Sequence, residues 1–170
     1  MTHELAPLVE MLGLEPRSDD PYTLLDATVD GVQFLATMTG IGMAAATDAT
    51  NRVLDDGSID HVIVIGIAGG LDPALDIGAI VVPEAVLHGD AGTTHVPALL
   101  GDHAARGTIR SSDEFLTDPA VHADLLANGV VGLDMETAAV AVVCEARGVP
   151  WSVFRSISDR PADGLVDGAV

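Results

Sequence analysis

Apolar positions recur along this chain with two different spacings. Over residues 3–12, Leu5, Leu8, Val9 and Leu12 fall on one helical face, and Gly13 follows as a stop. Residues 32–38 (Val-Gln-Phe-Leu-Ala-Thr-Met) predict a strand. Gly40-Ile41-Gly42 then turns the chain into an Ala-rich helix that ends before Gly57. Residues 61–67 (His-Val-Ile-Val-Ile-Gly-Ile) form a continuous apolar run, which predicts a strand covered on both faces. A Gly-rich turn follows, then a strand at 79–82. From 88 to 105 the pattern fades into loop or short helix, and 106–110 predict another strand. Asp118 before Pro119 starts a helix that Gly129 stops. Residues 135–147 predict a helix that is apolar on most sides and therefore central, and 151–157 a last buried strand.

Strands alternating with helices predict one α/β domain over residues 1–170, in three layers around a largely parallel or mixed sheet. Ligands of such sheets gather beyond the carboxyl ends of strands, where Gly66 to Gly70 and Ser158-Asp159 fall. The chain is 48% hydrophobic but only 3% aromatic, so small aliphatic residues must fill its interior. No apolar run is long enough to span a bilayer, and no basic-then-apolar leader opens the sequence. The single cysteine, Cys144, fits a reducing, cytoplasmic setting. The formal charge is −19, and all seven basic residues are arginine. That field repels nucleic acid and anionic membranes but not a neutral small molecule. The six histidines are scattered, so no metal and no cofactor is expected.

Two carboxylates draw attention. Gly132-Leu133-Asp134-Met135-Glu136-Thr137-Ala138-Ala139 puts Glu136 at the start of an apolar helix. Arg155-Ser156-Ile157-Ser158-Asp159 puts Asp159 at the end of an apolar strand. Charges at the rim of a core are costly unless solvated or used. With Glu4 they suit a site that grips sugar hydroxyls and protonates a leaving group. Each also has a plain structural reading. Asp159 can cap a turn, Glu136 and Glu4 can sit in first helical turns where the dipole favours them, and Phe115 and Met135 can be core.

The ordered set Glu4 to Leu8, Thr39 to Gly42, Gly66 to Leu71, Asp76 to Val82, Gly107 to Leu116, Asp134 to Ala138 and Arg155 to Asp159 resembles the purine nucleoside phosphorylase and nucleosidase superfamily. Within it, the chain looks most like the 5'-methylthioadenosine/S-adenosylhomocysteine nucleosidases. The resemblance implies cleavage of the N-glycosidic bond between ribose and a purine-like base, usually in a homodimer. It implies that Asp159 donates a proton to the departing base, best done from a low-dielectric strand end. It implies that Glu136 accepts hydrogen bonds from the ribose 2'- and 3'-hydroxyls, and that Met135 lines the ribose. Glu4 would activate water, Phe115 would stack on the base, and Arg155 would stand near the water or phosphate pocket. Gly69 and Ile67 belong to the Gly-rich turn that contacts substrate.

Phosphorolytic members carry an Arg before the first Gly of that turn and a Ser or Thr after it. Here Val64-Ile65 precede Gly66, Ile67 follows it, and the chain has no lysine. Hydrolysis is therefore expected over phosphorolysis, although the amides of Gly40 to Gly42 offer an anion a helix start. Ile67 stands where nucleosidases place Ser. The family also has a strand before the catalytic Glu, a long helix after the Ser-Asp strand, and a longer segment where Gly89 to Ala105 stands. The expected fold therefore lacks that first strand and last helix. A nucleoside-binding protein without turnover is the alternative of another class.

Overall fold

The computed structural model describes residues 2–17 and 24–160, with side chains from residue 5 onward. Helix α1 (Thr2–Leu12) is followed by β1 (Glu15–Pro16), β2 (Leu25–Val29) and β3 (Val32–Ala36). These three strands form a small antiparallel sheet in the order β1-β2-β3. The apolar spacing predicts β3 but not β2. The missed signal is Asp30-Gly31, whose φ angles of 51° and 82° build a two-residue hairpin turn matched to strand twist.

A seven-stranded sheet carries the rest: β4 (Val62–Gly70), β5 (Ile80–Val81), β6 (Ala85–His88), β7 (Thr93–His95), β8 (Thr108–Ser111), β9 (Val130–Asp134) and β10 (Trp151–Asp159), ordered β5-β10-β4-β9-β8-β6-β7. The sheet is mixed. β10 runs parallel to β4, β8 to β9 and β6 to β8, whereas β4/β9, β10/β5 and β6/β7 are antiparallel. β6 and β7 fall partly within the segment expected to be loop or short helix; strands this short carry too few alternations to register as a pattern. Helices α2 (Met43–Asp56), α3 (Pro119–Ala127) and α4 (Thr137–Arg147) match the expected ones. Asp118 caps α3 by accepting from the Ala120 N–H at 2.8 Å, and Pro119 fills a first-turn position where no amide is needed.

Side-chain alternation decides what each sheet face meets. Register aligns Val153 with Val64 and Ile157 with Ala68, so these share a face. Val64, Val153, Trp151 and Val86 pack there with Ala46 and Leu54 of α2 and with Ala138 to Ala141, Val143 and Cys144 of α4. The opposite face presents Ile63, Ile65 and Ile67 of β4 and Ile80 of β5, each 42–59% exposed. The expectation that 61–67 is covered on both faces is thus corrected. On the same side, His103 of the 96–105 loop meets Phe154 edge-on at 5.5 Å. A continuous apolar run records hydrophobic character on both sides of a strand, not the presence of a covering layer.

Candidate active site

Asp134 ends β9 and leads into α4, and register sets Ser111 of β8 beside it. The Ser111 hydroxyl donates to Asp134 Oδ1 at 2.5 Å, and the Thr137 hydroxyl donates to Oδ2. The backbone N–H groups of Glu136 and Thr137 also donate to Asp134 Oδ1, both at 3.3 Å. Ser111 Oγ in turn accepts from the Ala138 N–H at 3.0 Å. Asp134 thereby caps the first turn of α4, as helix starts require.

Arg155 reaches the same corner from β10, level with Gly66 of the intervening β4. Its Nε lies 2.9 Å from Asp134 Oδ2, and its Nη2 donates to Thr137 Oγ1 at 2.8 Å. The side chains of Arg155 and Asp134 are only 6% and 1% exposed. Burying two charges is tolerable because each satisfies the other and nearby dipoles complete their hydrogen bonding.

Glu136 stands at the edge of this pair. Its Oε2 is 3.7 Å from Arg155 Nη2 and accepts from the Met135 N–H at 3.4 Å. Its Oε1 accepts from the Gly42 N–H at 3.0 Å. The next amide, of Met43, donates to Asp113 Oδ1 at 2.7 Å. Helix α2 begins at Gly42 without a side-chain cap of its own, so carboxylates from two distant segments satisfy its first donors. Gly42 has φ +93°, and a Cβ there would stand 2.9 Å from Asp113 Oδ1. Only glycine suits both the backbone and the space. The helix start at Gly40 to Gly42, open to an anion by sequence, is already held by the chain's own carboxylates. A phosphate dianion would meet two negative charges there.

Asp159 ends β10 and pairs with Gly69, which on its other side pairs with Leu133. Asp159 is therefore about 10 Å, two strand spacings, from the end of β9 that leads to Glu136. The Ser158 hydroxyl donates to Asp159 Oδ1 at 2.6 Å. A Cβ on Gly69 would sit 3.5 Å from Asp159 Oδ2, so glycine keeps that carboxylate's flank open. Asp159 is exposed, which corrects the expected dry strand end.

The predicted residues separate accordingly. Glu136, Met135 and Arg155 meet in one corner, with Gly69 and Asp159 beside it. Phe115 is 74% exposed, which corrects the core reading of that ring. Its loop is tied to the start of α2 through Asp113. Ile67 alternates to the face opposite Gly66, and its side chain is 46% exposed. Glu4 belongs to α1, but its side chain lies outside the described residues. Among the described residues, no group of three His, Cys, Asp or Glu side chains could hold a metal ion. The sequence motifs give no role to Asp134, Asp113, Ser111 or Thr137. The signal for them is tertiary, since strand register alone makes Ser111 and Asp134 neighbours.

The sequence profile of the Phosphorylase superfamily matches residues 1–104 and 95–169. A 5'-methylthioadenosine/S-adenosylhomocysteine nucleosidase of Marinomonas sp. (strain MWYL1) is 32% identical, over 76% of this chain and 69% of the relative. One of Shewanella sp. (strain W3-18-1) is 33% identical, over 78% and 75%. Among solved structures, the Colwellia psychrerythraea 34H nucleosidase in complex with adenine superposes with a TM-score of 0.82 at 28% identity, covering 96% of this chain and 82% of that one. The Campylobacter jejuni nucleosidase shares the fold with a TM-score of 0.84 at 21% identity, covering 99% and 86%.

Proposed function

We infer the chemistry from family membership: the chain belongs to the Phosphorylase superfamily and, within it, to the 5'-methylthioadenosine/S-adenosylhomocysteine nucleosidases. It is a nucleosidase that hydrolyses the N-glycosidic bond of a purine nucleoside and releases the free base. Beyond that, our reading assigns methylthioadenosine or adenosylhomocysteine as substrate and gives roles to individual residues. A cytoplasmic homodimer in methionine salvage is the setting that the resemblance supports.

The observation that carries the site is the Glu136 carboxylate, held by the Gly42 N–H and the Arg155 charge next to the strand end that bears Asp159. Glu136 accepts the ribose 2'- and 3'-hydroxyls and steadies the positive charge that builds on the sugar. Met135 lines the ribose, and Phe115 and the glycine backbone at Gly69 bound the base. As the C1'–N9 bond breaks, its electron pair moves to the base, and the Asp159 carboxylic acid protonates N7. Glu4 takes a proton from water as its oxygen bonds to C1'. That proton returns through solvent to Asp159, so the cycle consumes only water and nucleoside. Arg155 acts here through Glu136, because Asp134 and Thr137 occupy much of its guanidinium.

The carboxylates at the start of α2 favour water over phosphate as nucleophile. Purified protein incubated with methylthioadenosine releases adenine equally with and without phosphate. Strict phosphate dependence with a ribose-1-phosphate product overturns hydrolysis, and nucleoside binding without turnover overturns catalysis.

A further inference from the structure

We propose that Asp134, with Ser111 and Thr137, is a positioning residue for the ribose-binding carboxylate: it locks Arg155, and through Arg155 sets the orientation of Glu136. The inference rests on the reading of Glu136 just given and extends it to a group that touches no substrate.

The geometry is a chain of constraints. The Asp134 side chain is 1% exposed, and its two oxygens take the Ser111 and Thr137 hydroxyls, two backbone amides and Arg155 Nε. The lone pairs of that carboxylate are spent, so its plane is fixed. A fixed carboxylate fixes the planar guanidinium paired with it, and Thr137 Oγ1 holds the same edge through both Nε and Nη2. Arg155 then presents Nη2 to Glu136 Oε2 at 3.7 Å, close enough to attract but too far for a hydrogen bond. Glu136 is left with Oε1 anchored on Gly42, while Oε2 makes only the long 3.4 Å contact with the Met135 N–H. That oxygen retains capacity to accept a hydroxyl, in a carboxylate that cannot swing. Two vicinal hydroxyls demand a set carboxylate plane, and a misplacement of about 1 Å costs about a hundredfold in rate. A buried ion pair adds little net stability compared with apolar packing, so its contribution here is orientation.

The test compares methylthioadenosine with its 2'-deoxy analogue, since only the former offers both hydroxyls. In the intact protein kcat/KM favours the ribonucleoside strongly. Asp134→Asn lowers that preference by about tenfold or more, through kcat more than KM. Ser111→Ala keeps the ion pair, removes one of its supports and lowers the preference by about threefold. It decides the matter should Asp134→Asn not fold. Folded variants with a lower Tm and an unchanged ribo-to-deoxy ratio overturn the inference and leave a mere structural pin. A native protein that releases no adenine from either nucleoside overturns the nucleosidase reading instead. A native protein that is active but indifferent to the 2'-hydroxyl overturns the role of Glu136.

Discussion

Glu136 and Asp159, the carboxylates assigned to the ribose and to the base, are held in opposite ways. Glu136 is 17% exposed and sits against the Gly42 and Met135 amides and the buried Asp134–Arg155 pair. Asp159 is exposed at a strand end, where the Ser158 hydroxyl is its hydrogen-bond partner. The aromatic assigned to the base, Phe115, is likewise 74% exposed. The contrast fits the two tasks proposed for these residues. Orienting a sugar needs a carboxylate that cannot move, whereas delivering a proton needs one that reloads from solvent after each turnover. Rigidity on the ribose side comes from β8, β9, β10 and two helix starts. On the base side, a single strand end and a loop suffice.

This contrast can be broken by substitution. The largest effect is expected at Asp159→Asn, which lowers adenine release by about 10²–10⁴-fold with little change in melting temperature, because few contacts depend on that exposed side chain. Unchanged turnover removes the base side of the proposal. Gly42→Ala comes next and should act on stability and activity together. Its φ of +93° and the 2.9 Å approach to Asp113 predict a loss of about 1–3 kcal/mol in chemical denaturation, and displacement of the amide that holds Glu136 lowers kcat/KM as well. A stable, fully active variant would show that the start of α2 is not part of the ribose grip.

Phe115→Ala should separate the two sides more finely. Lost stacking of about 0.5–1.5 kcal/mol raises KM by up to about tenfold while the melting temperature stays put. An unchanged KM would remove Phe115 from the base side. The smallest effect is expected behind the ribose corner, in α4. Burial, and then the neighbouring Glu145 carboxylate, push the Cys144 thiol from 9.0 up to about 11. A thiol raised in the folded state contributes stability that is fully present below pH 9 and is lost as pH rises towards 11. The urea midpoint should therefore fall between pH 9 and 11, and fall less in Cys144→Ala. With no lysine and one tyrosine in the chain, few other groups titrate in that window. An equal fall in the variant would assign the pH dependence elsewhere.

Much of the fold is legible in the sequence. The Ala-rich run after Gly42, the Asp118-Pro119 start and the apolar stretch at 135–147 correspond to α2, α3 and α4. β2 and β9 escape the apolar spacing, although Asp30-Gly31 marks the hairpin after β2. Sequence motifs also single out Glu136, Asp159 and Phe115. They do not single out Asp113 or Ser111, which matter only once β8 is laid beside β9 and its loop reaches α2.

The sequence by itself determined the alternation of strands and helices and pointed to the family, because these depend on local periodicity and on short motifs. Tertiary structure decided that Arg155 spends its charge on Asp134, that the start of α2 is closed by Glu136 and Asp113, and that Ile63, Ile65 and Ile67 of β4 are exposed. Those facts depend on strand register and on which layers are present. Residues up to 94 positions apart in the chain then share a hydrogen bond, and no local pattern records such a meeting.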